Sequence, residues 1–178
     1  DYQVGFHTHS NESQFDVEQT LERFKVRPIQ ALEKFGLLKA PKTLLAHCVW
    51  ADDNEIALMA QGNIGVAHNP ISNMKLASGA APVVAMLKAG VNLGLGTDGE
   101  KENNNLDMFE EMKVSSLLAK FSSLDAAALD AWDICRMATI GGAKALGLDH
   151  VTGSLEVGKS ADMIAIRCDT PRMTPLID

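Results

Sequence analysis

The chain has 178 residues, 46% of them hydrophobic and 22% charged, with 5% aromatic. That balance fits a folded chain with an aliphatic core and excludes a disordered or collagen-like one. The 16 Lys and Arg against 23 Asp and Glu give a net charge of −7, so a small-molecule partner is expected rather than nucleic acid, which needs clustered basic charge. Cys48, Cys135 and Cys168 lie too far apart for a disulfide framework or a CxxC pair, and a reducing, cytoplasmic setting is expected. No run approaches the ~20 apolar residues of a bilayer span, and the N-terminal DYQVGFHTHS has no basic segment or cleavage site, so neither membrane association nor export is expected.

In chain order, residues 2–7 read as a strand. Residues 16–24 read as a helix with Val17, Leu21 and Phe24 on one face. A second helix is expected over about 28–37, with Pro28 near its start. A short apolar run at 43–47 precedes a helix over 52–61, whose first turn Asp53 and Glu55 favour. The pattern recurs with a strand at 63–67, a helix at 81–89 and a strand at 91–95, and Gly62, Gly90 and Gly99 fall where elements stop or turn. Strands alternating with helices at this spacing predict βα units on a parallel sheet. Helices come next over 106–120 and 124–146. The tail, with Gly153 and Gly158 and the apolar run 163–166, reads as a hairpin and strand of a separate small β element, so the expected division is 1–148 and 149–178.

Several apolar runs end in one ionisable group: His9 with Glu12 in FHTHSNES, His47 in LLAHCVW, and Asp98 in VNLGLGTDGE. Buried parallel strands that each deliver a side chain to a shared rim would make a site. Imidazole suits zinc or iron, and a carboxyl three residues away can move protons without being a ligand. Taken alone, His9 reads equally as a ligand or as part of a polar loop, and His47 as a hydrogen-bonded core histidine. A buried Asp98 needs a cation or hydrogen-bond donors to offset its burial, though Thr97 and the Gly99 turn could supply a structural cap. His68, in AHNPISNMKLASG, either lines the pocket or belongs to a loop anchored by Asn69, Pro70, Ser72 and Asn73. His7 forms an HTH pair with His9, and two residues along a strand share a face, but Glu12 and the helices after it fit a later strand of a barrel better than the first. HExxH, GxSxG, Walker and PCxxC signatures are absent.

Together, the segments HSNE, LLAHCVW, HNPISNMKLASG, GTDGEKENNNLDMFEEMK, ATIGGAKALGL and GSLEVGKSADMIAI resemble the amidohydrolase superfamily. They are most similar to the branch of the 5-methylthioadenosine/S-adenosylhomocysteine deaminases and triazine hydrolases. The resemblance implies an α/β fold of the (β/α)8 TIM-barrel type, with this chain as about its second half, strands 5 to 8, plus part of a small β-sandwich. It implies one divalent metal ion, zinc or else iron, with His9 and Asp98 as ligands. Glu12 becomes the acid that shuttles protons, His47 the histidine that contacts the attacking water or the substrate, and Asp98 also the acceptor of the water's proton. Glu12, His47 and His68 would touch substrate.

The implied activity is hydrolytic deamination of an aminated purine, with a metal-bound hydroxide attacking the amine-bearing ring carbon. The alternatives are another ring substrate (a triazine, a guanine-like base or a pterin) or a catalytically incomplete fragment. The branch takes two further ligands from an HxH motif on strand 1, and a barrel needs roughly 250 residues. A missing N-terminal half, or a homo-oligomer formed through open sheet edges, is therefore expected.

Overall fold

The computed structural model describes residues 4–174. Four parallel strands, β1 (Phe6–Ser10), β2 (Thr43–His47), β3 (Gly65–His68) and β4 (Asn92–Leu95), pair in the order β1-β2-β3-β4. Helices α1 (Gln14–Phe24) and α2 (Pro28–Lys34) join β1 to β2, α3 (Asp53–Gln61) joins β2 to β3, and α4 (Pro70–Lys75) and α5 (Val83–Ala89) join β3 to β4. After β4 come α6 (Glu100–Asn103), α7 (Met108–Ser123), α8 (Ala131–Arg136), a π-helical turn at Met137–Gly141 and α9 (Gly142–Leu146). Sequential strands lying side by side in parallel, with helices between them, form an arc of a (β/α) barrel.

Local chemistry starts the helices where the sequence indicates. Ser13 and Asp16 cap α1 reciprocally, with Asp16 N–H on Ser13 Oγ at 3.2 Å and Ser13 N–H on Asp16 Oδ2 at 3.0 Å. Asp52 and Glu55 do the same for α3, a capping box in each case. Register aligns Leu45 with Val66 and Val66 with Leu93. This buried row packs with Ile29, Ile56, Met59, Val83, Met86, Ala119 and Met137 into one core between sheet and helices. Side chains alternate across a strand, so Gly65, Ala67 and Gly94 face the other way, as His9 does through its pairing with Ala46. On that face α9 lies directly against the strands. A Cβ on Gly65 would overlap the Ala145 carbonyl, and one on Gly94 would sit 2.7 Å from Gly142 Cα.

Three expectations need correction. The segment 124–146 is not one helix: α7 runs on to Ser123, and only after a turn that buries Ala128 and Leu129 does Asp130 cap α8 by accepting from Asp133 N–H at 2.8 Å. The loop that is one of the two readings of 69–73 is instead the start of α4, with Pro70 at its first position, where a missing N–H costs nothing. The hairpin and strand expected in the tail are not formed among the described residues. Gly153 and Gly158 do turn the chain at φ 92° and 97°, and Ser160 N–H reaches Val151 O. The run at Met163 and Ile164, however, stays exposed, at 68% and 77%. Apolar residues form a strand only when another backbone pairs with them, and none does so among the described residues. The end of the expected β element, 175–178, lies outside them.

Gly65→Ala should destabilise the protein by about 1–3 kcal/mol, because its neighbour is backbone that has little room to move. A urea midpoint unchanged by this substitution would contradict the packing of α9 on β3.

Candidate active site

The strand ends bend sharply. Asn11 (φ 53°), His47 (71°), Cys48 (49°) and Asp98 (62°) all take left-handed backbone conformations without being glycine. Each such residue costs on the order of 1 kcal/mol or more, and persists where its surroundings over-determine it. Here hydrogen bonds do so. Cys48 N–H donates to Ser10 O at 3.0 Å and Trp50 N–H to Asn11 O at 2.9 Å, which ties the loop after β1 to the loop after β2.

These bends bring four of the expected residues together. The rings of His9 and His47 stack with centroids 5.2 Å apart. His47 Nε2 lies 3.8 Å from Asp98 Oδ2 and 3.9 Å from Glu12 Oε2. One ligand atom from each of His9, His47 and Asp98 falls within 4.8 Å of the others. His47 thus turns Nε2 to the same point as the pair expected as ligands. Its Nδ1 is 2.8 Å from Asn73 Oδ1, so the ring is held from behind while Nε2 faces the cluster. Two imidazoles and a carboxylate, with the middle ring fixed by an outer hydrogen bond, are a donor set that fits zinc or another borderline divalent cation.

Asp98 is built for ionisation. Burial pushes its carboxyl up, but the Ser72 hydroxyl donating to Oδ2 at 2.6 Å, the Gly99 N–H donating to Oδ1 at 2.8 Å, and neighbouring His47 and His9 outweigh that and leave it below the ordinary carboxylate range. Two buried glutamates on outer helices hold the loops in place. Glu55 in α3, with no exposed surface, accepts from Asn11 Nδ2, Ile29 N–H, Asp52 N–H and Arg27 Nε. It therefore anchors the loop that carries Glu12. Glu111 in α7 accepts from Ile71 N–H at 3.3 Å and from Asn103 Nδ2, whose amide also donates to Thr97 O at 3.0 Å beside Asp98.

The profile of the amidohydrolase family matches residues 1–176. The chain belongs to the amidohydrolase family. It is 48% identical over 175 residues to a 5'-deoxyadenosine deaminase of Methanosarcina acetivorans, covering 98% of this chain and 40% of that protein. It is 47% identical over 172 residues to a 5-methylthioadenosine/S-adenosylhomocysteine deaminase of Desulforudis audaxviator, covering 97% and 40%. Among solved structures it superposes on an adenosine deaminase from Xanthomonas campestris with bound zinc, at TM-score 0.90 and 40% identity, over 96% of this chain and 38% of that one. It superposes equally on the zinc complex of an atrazine chlorohydrolase from Arthrobacter aurescens, at TM-score 0.90 and 29% identity, over 100% and 39%. The chain thus spans about two fifths of the length of these relatives.

Within this amidohydrolase arc, His68 stands apart from the cluster. It is 1% exposed, and neither ring nitrogen finds a partner. Burial, and then the field of His47, lower its pKa to about 4, so it is neutral near pH 7. His7 is exposed and outside the three-donor group. Sequence reasoning missed Asn73 as the partner of His47 and Ser72 as the partner of Asp98. It also missed Asn11, Glu55, Asn103 and Glu111 as supports. Glu55 carried a signal as the third residue of a capping box, but nothing marked it as buried.

Glu111 and His68 give this amidohydrolase a pH signature. Burial raises the Glu111 carboxyl from 4.5 to about 7, against the donors of Ile71 and Asn103. Its contribution to stability is therefore full below pH 4.5 and lost as pH rises to about 7. His68, lowered from 6.5 to about 4, contributes fully above pH 6.5 and loses that as pH falls to about 4. The two slopes oppose each other between pH 4.5 and 6.5. Glu111→Gln should therefore make the urea midpoint fall more steeply than in the parent as pH drops from 6.5 to 4.5. Parallel midpoint curves for the two proteins would contradict the raised Glu111 value.

Proposed function

We propose that this site performs hydrolytic deamination of an adenine-type purine carrying a modified 5' position. The observation that carries the reading is the convergence of His9, His47 and Asp98 within 4.8 Å, with Glu12 3.9 Å from His47. The names of relatives at 47–48% identity favour a purine over the triazine handled by the chlorohydrolase at 29%.

His9 and Asp98 would hold a divalent cation, zinc by the donor set, with His47 Nε2 turned to the same point. When bound, the cation supplies Lewis acidity that lowers the pKa of a water. Asp98 is held in its ionised form by Ser72 and Gly99, so it would accept the proton of the attacking water. The water oxygen adds to the ring carbon that bears the amine. Glu12, at the open rim, delivers a proton to the adjacent ring nitrogen. As the tetrahedral centre collapses, the C–N bond breaks, the amine takes the proton held by Asp98 and leaves as ammonia, and the added hydroxyl gives its proton back to Glu12 as the ring carbon keeps the oxygen as a carbonyl. His47 accepts a hydrogen bond at Nε2 and steadies the attacking oxygen. His68 lies at the end of the strand between His47 and Asp98, and would close the floor of the substrate pocket as a neutral ring. Strands β1 and β4 each pair on one side among the described residues, so a further segment or chain would complete the barrel.

The test is ammonia release by the zinc-loaded full-length protein from 5'-deoxyadenosine, 5-methylthioadenosine, S-adenosylhomocysteine, guanine and a chlorotriazine. Release from the first three is expected, and release only from the last two would overturn the assignment. Glu12→Gln should lower turnover by about 10²–10⁴-fold and keep stoichiometric zinc. Asp98→Asn should lose both turnover and most of the metal. Equal metal loss in the two variants would show that their roles are wrongly divided.

A further inference from the structure

We propose that Asn73 is a positioning residue that holds His47 in its Nδ1–H tautomer, so that Nε2 meets the reaction as a lone pair. A neutral imidazole carries one N–H, and which nitrogen bears it is set by the hydrogen bond the other face makes. On one face of His47, Asn73 Oδ1 lies 2.8 Å from Nδ1 and can only accept. On the other, Nε2 meets two carboxylate oxygens, of Asp98 at 3.8 Å and Glu12 at 3.9 Å. Those oxygens would draw the proton to Nε2 if nothing opposed them. The close contact at Nδ1 is the shorter and the buried one, and it decides against them.

The backbone of Asn73 is fixed, while its side-chain amide is oriented by His47 alone, since its buried Nδ2 finds no partner among the described residues. The residue has no exposed surface and sits in α4, whose end is fixed by Ser78 N–H on Asn73 O at 2.8 Å and whose start is fixed by Ile71 N–H on Glu111. Its neighbour in the same short helix, Ser72, donates to Asp98. Two adjacent residues of α4 therefore address two groups that arrive from two other strands, His47 from β2 and Asp98 after β4. The consequence for turnover rests on the deaminase reading, whereas the tautomer does not. With Nε2 protonated, His47 could neither face a cation nor accept a hydrogen bond from the attacking water.

The experiment is nitrogen-15 NMR of the imidazoles in the metal-free full-length protein near pH 8, with His47 assigned from the spectrum of His47→Gln. The parent should show His47 protonated at Nδ1. Asn73→Leu should move the proton to Nε2, and Asn73→Asp, which keeps an acceptor, should restore it to Nδ1. In the zinc-loaded protein, Asn73→Leu should lower kcat by about tenfold or more with a smaller change in KM, the scale of a lost outer-shell partner. An Nε2–H tautomer in the parent would overturn the proposal, since it would mean that the Asn73 amide presents Nδ2 instead. An Nδ1–H tautomer that persists in Asn73→Leu would overturn it equally. A parent that releases no ammonia from any purine would sink the deaminase reading and leave the tautomer result standing.

Discussion

Parallel strands in a barrel arc all finish at the same rim, and the rest of the site depends on that constraint. His9, His47, His68 and Asp98 come from four different strand ends, yet register alone puts those ends side by side. The rim does not by itself aim a side chain. At three of the four strand exits the backbone turns through left-handed residues, and a strand that simply continued would alternate its side chains to opposite faces. The bends let His9 and His47, which sit at different parities of neighbouring strands, stack with centroids 5.2 Å apart.

Those bends are kept in place by groups that face away from any substrate. Glu55 collects four donors and Glu111 two, each from a helix on the outer layer. A buried carboxylate is costly unless its lone pairs are met, and here the strand-exit loops meet them. Loop placement and carboxylate burial are thus mutually dependent. Arg27 adds a charge to the Glu55 cluster through contacts of 2.8 and 2.9 Å to Asp52 and Glu55. The clustered His9, His47 and Asp98 sit between this support and the open face, so they are held from behind and free in front.

How far this was legible in the sequence differs from element to element. The strand at Thr43–His47 and the helix up to Gln61 were readable because apolar run, acidic first-turn residues and length agree. His9, Glu12, His47 and Asp98 were readable as strand-end groups, and the family resemblance added their roles. The supports were not. Glu55 and Glu111 occupy helix positions where a glutamate ordinarily faces water, and only the three-dimensional packing shows that they do not. Ser72 and Asn73 looked like turn residues because serine and asparagine favour turns, and the helix they form is only six residues long. The tail was misread for a different reason, since an apolar strand signal says nothing about where its pairing partner lies.

The central claim is that one cation binds where His9, His47 and Asp98 converge. Anomalous diffraction at the zinc edge from crystals of the zinc-loaded full-length protein tests this most directly. A single strong peak within bonding distance of His9 and Asp98, on the side of His47 that carries Nε2, is the predicted result. Zinc bound elsewhere in the protein, with His9 and Asp98 left uncoordinated, would contradict it.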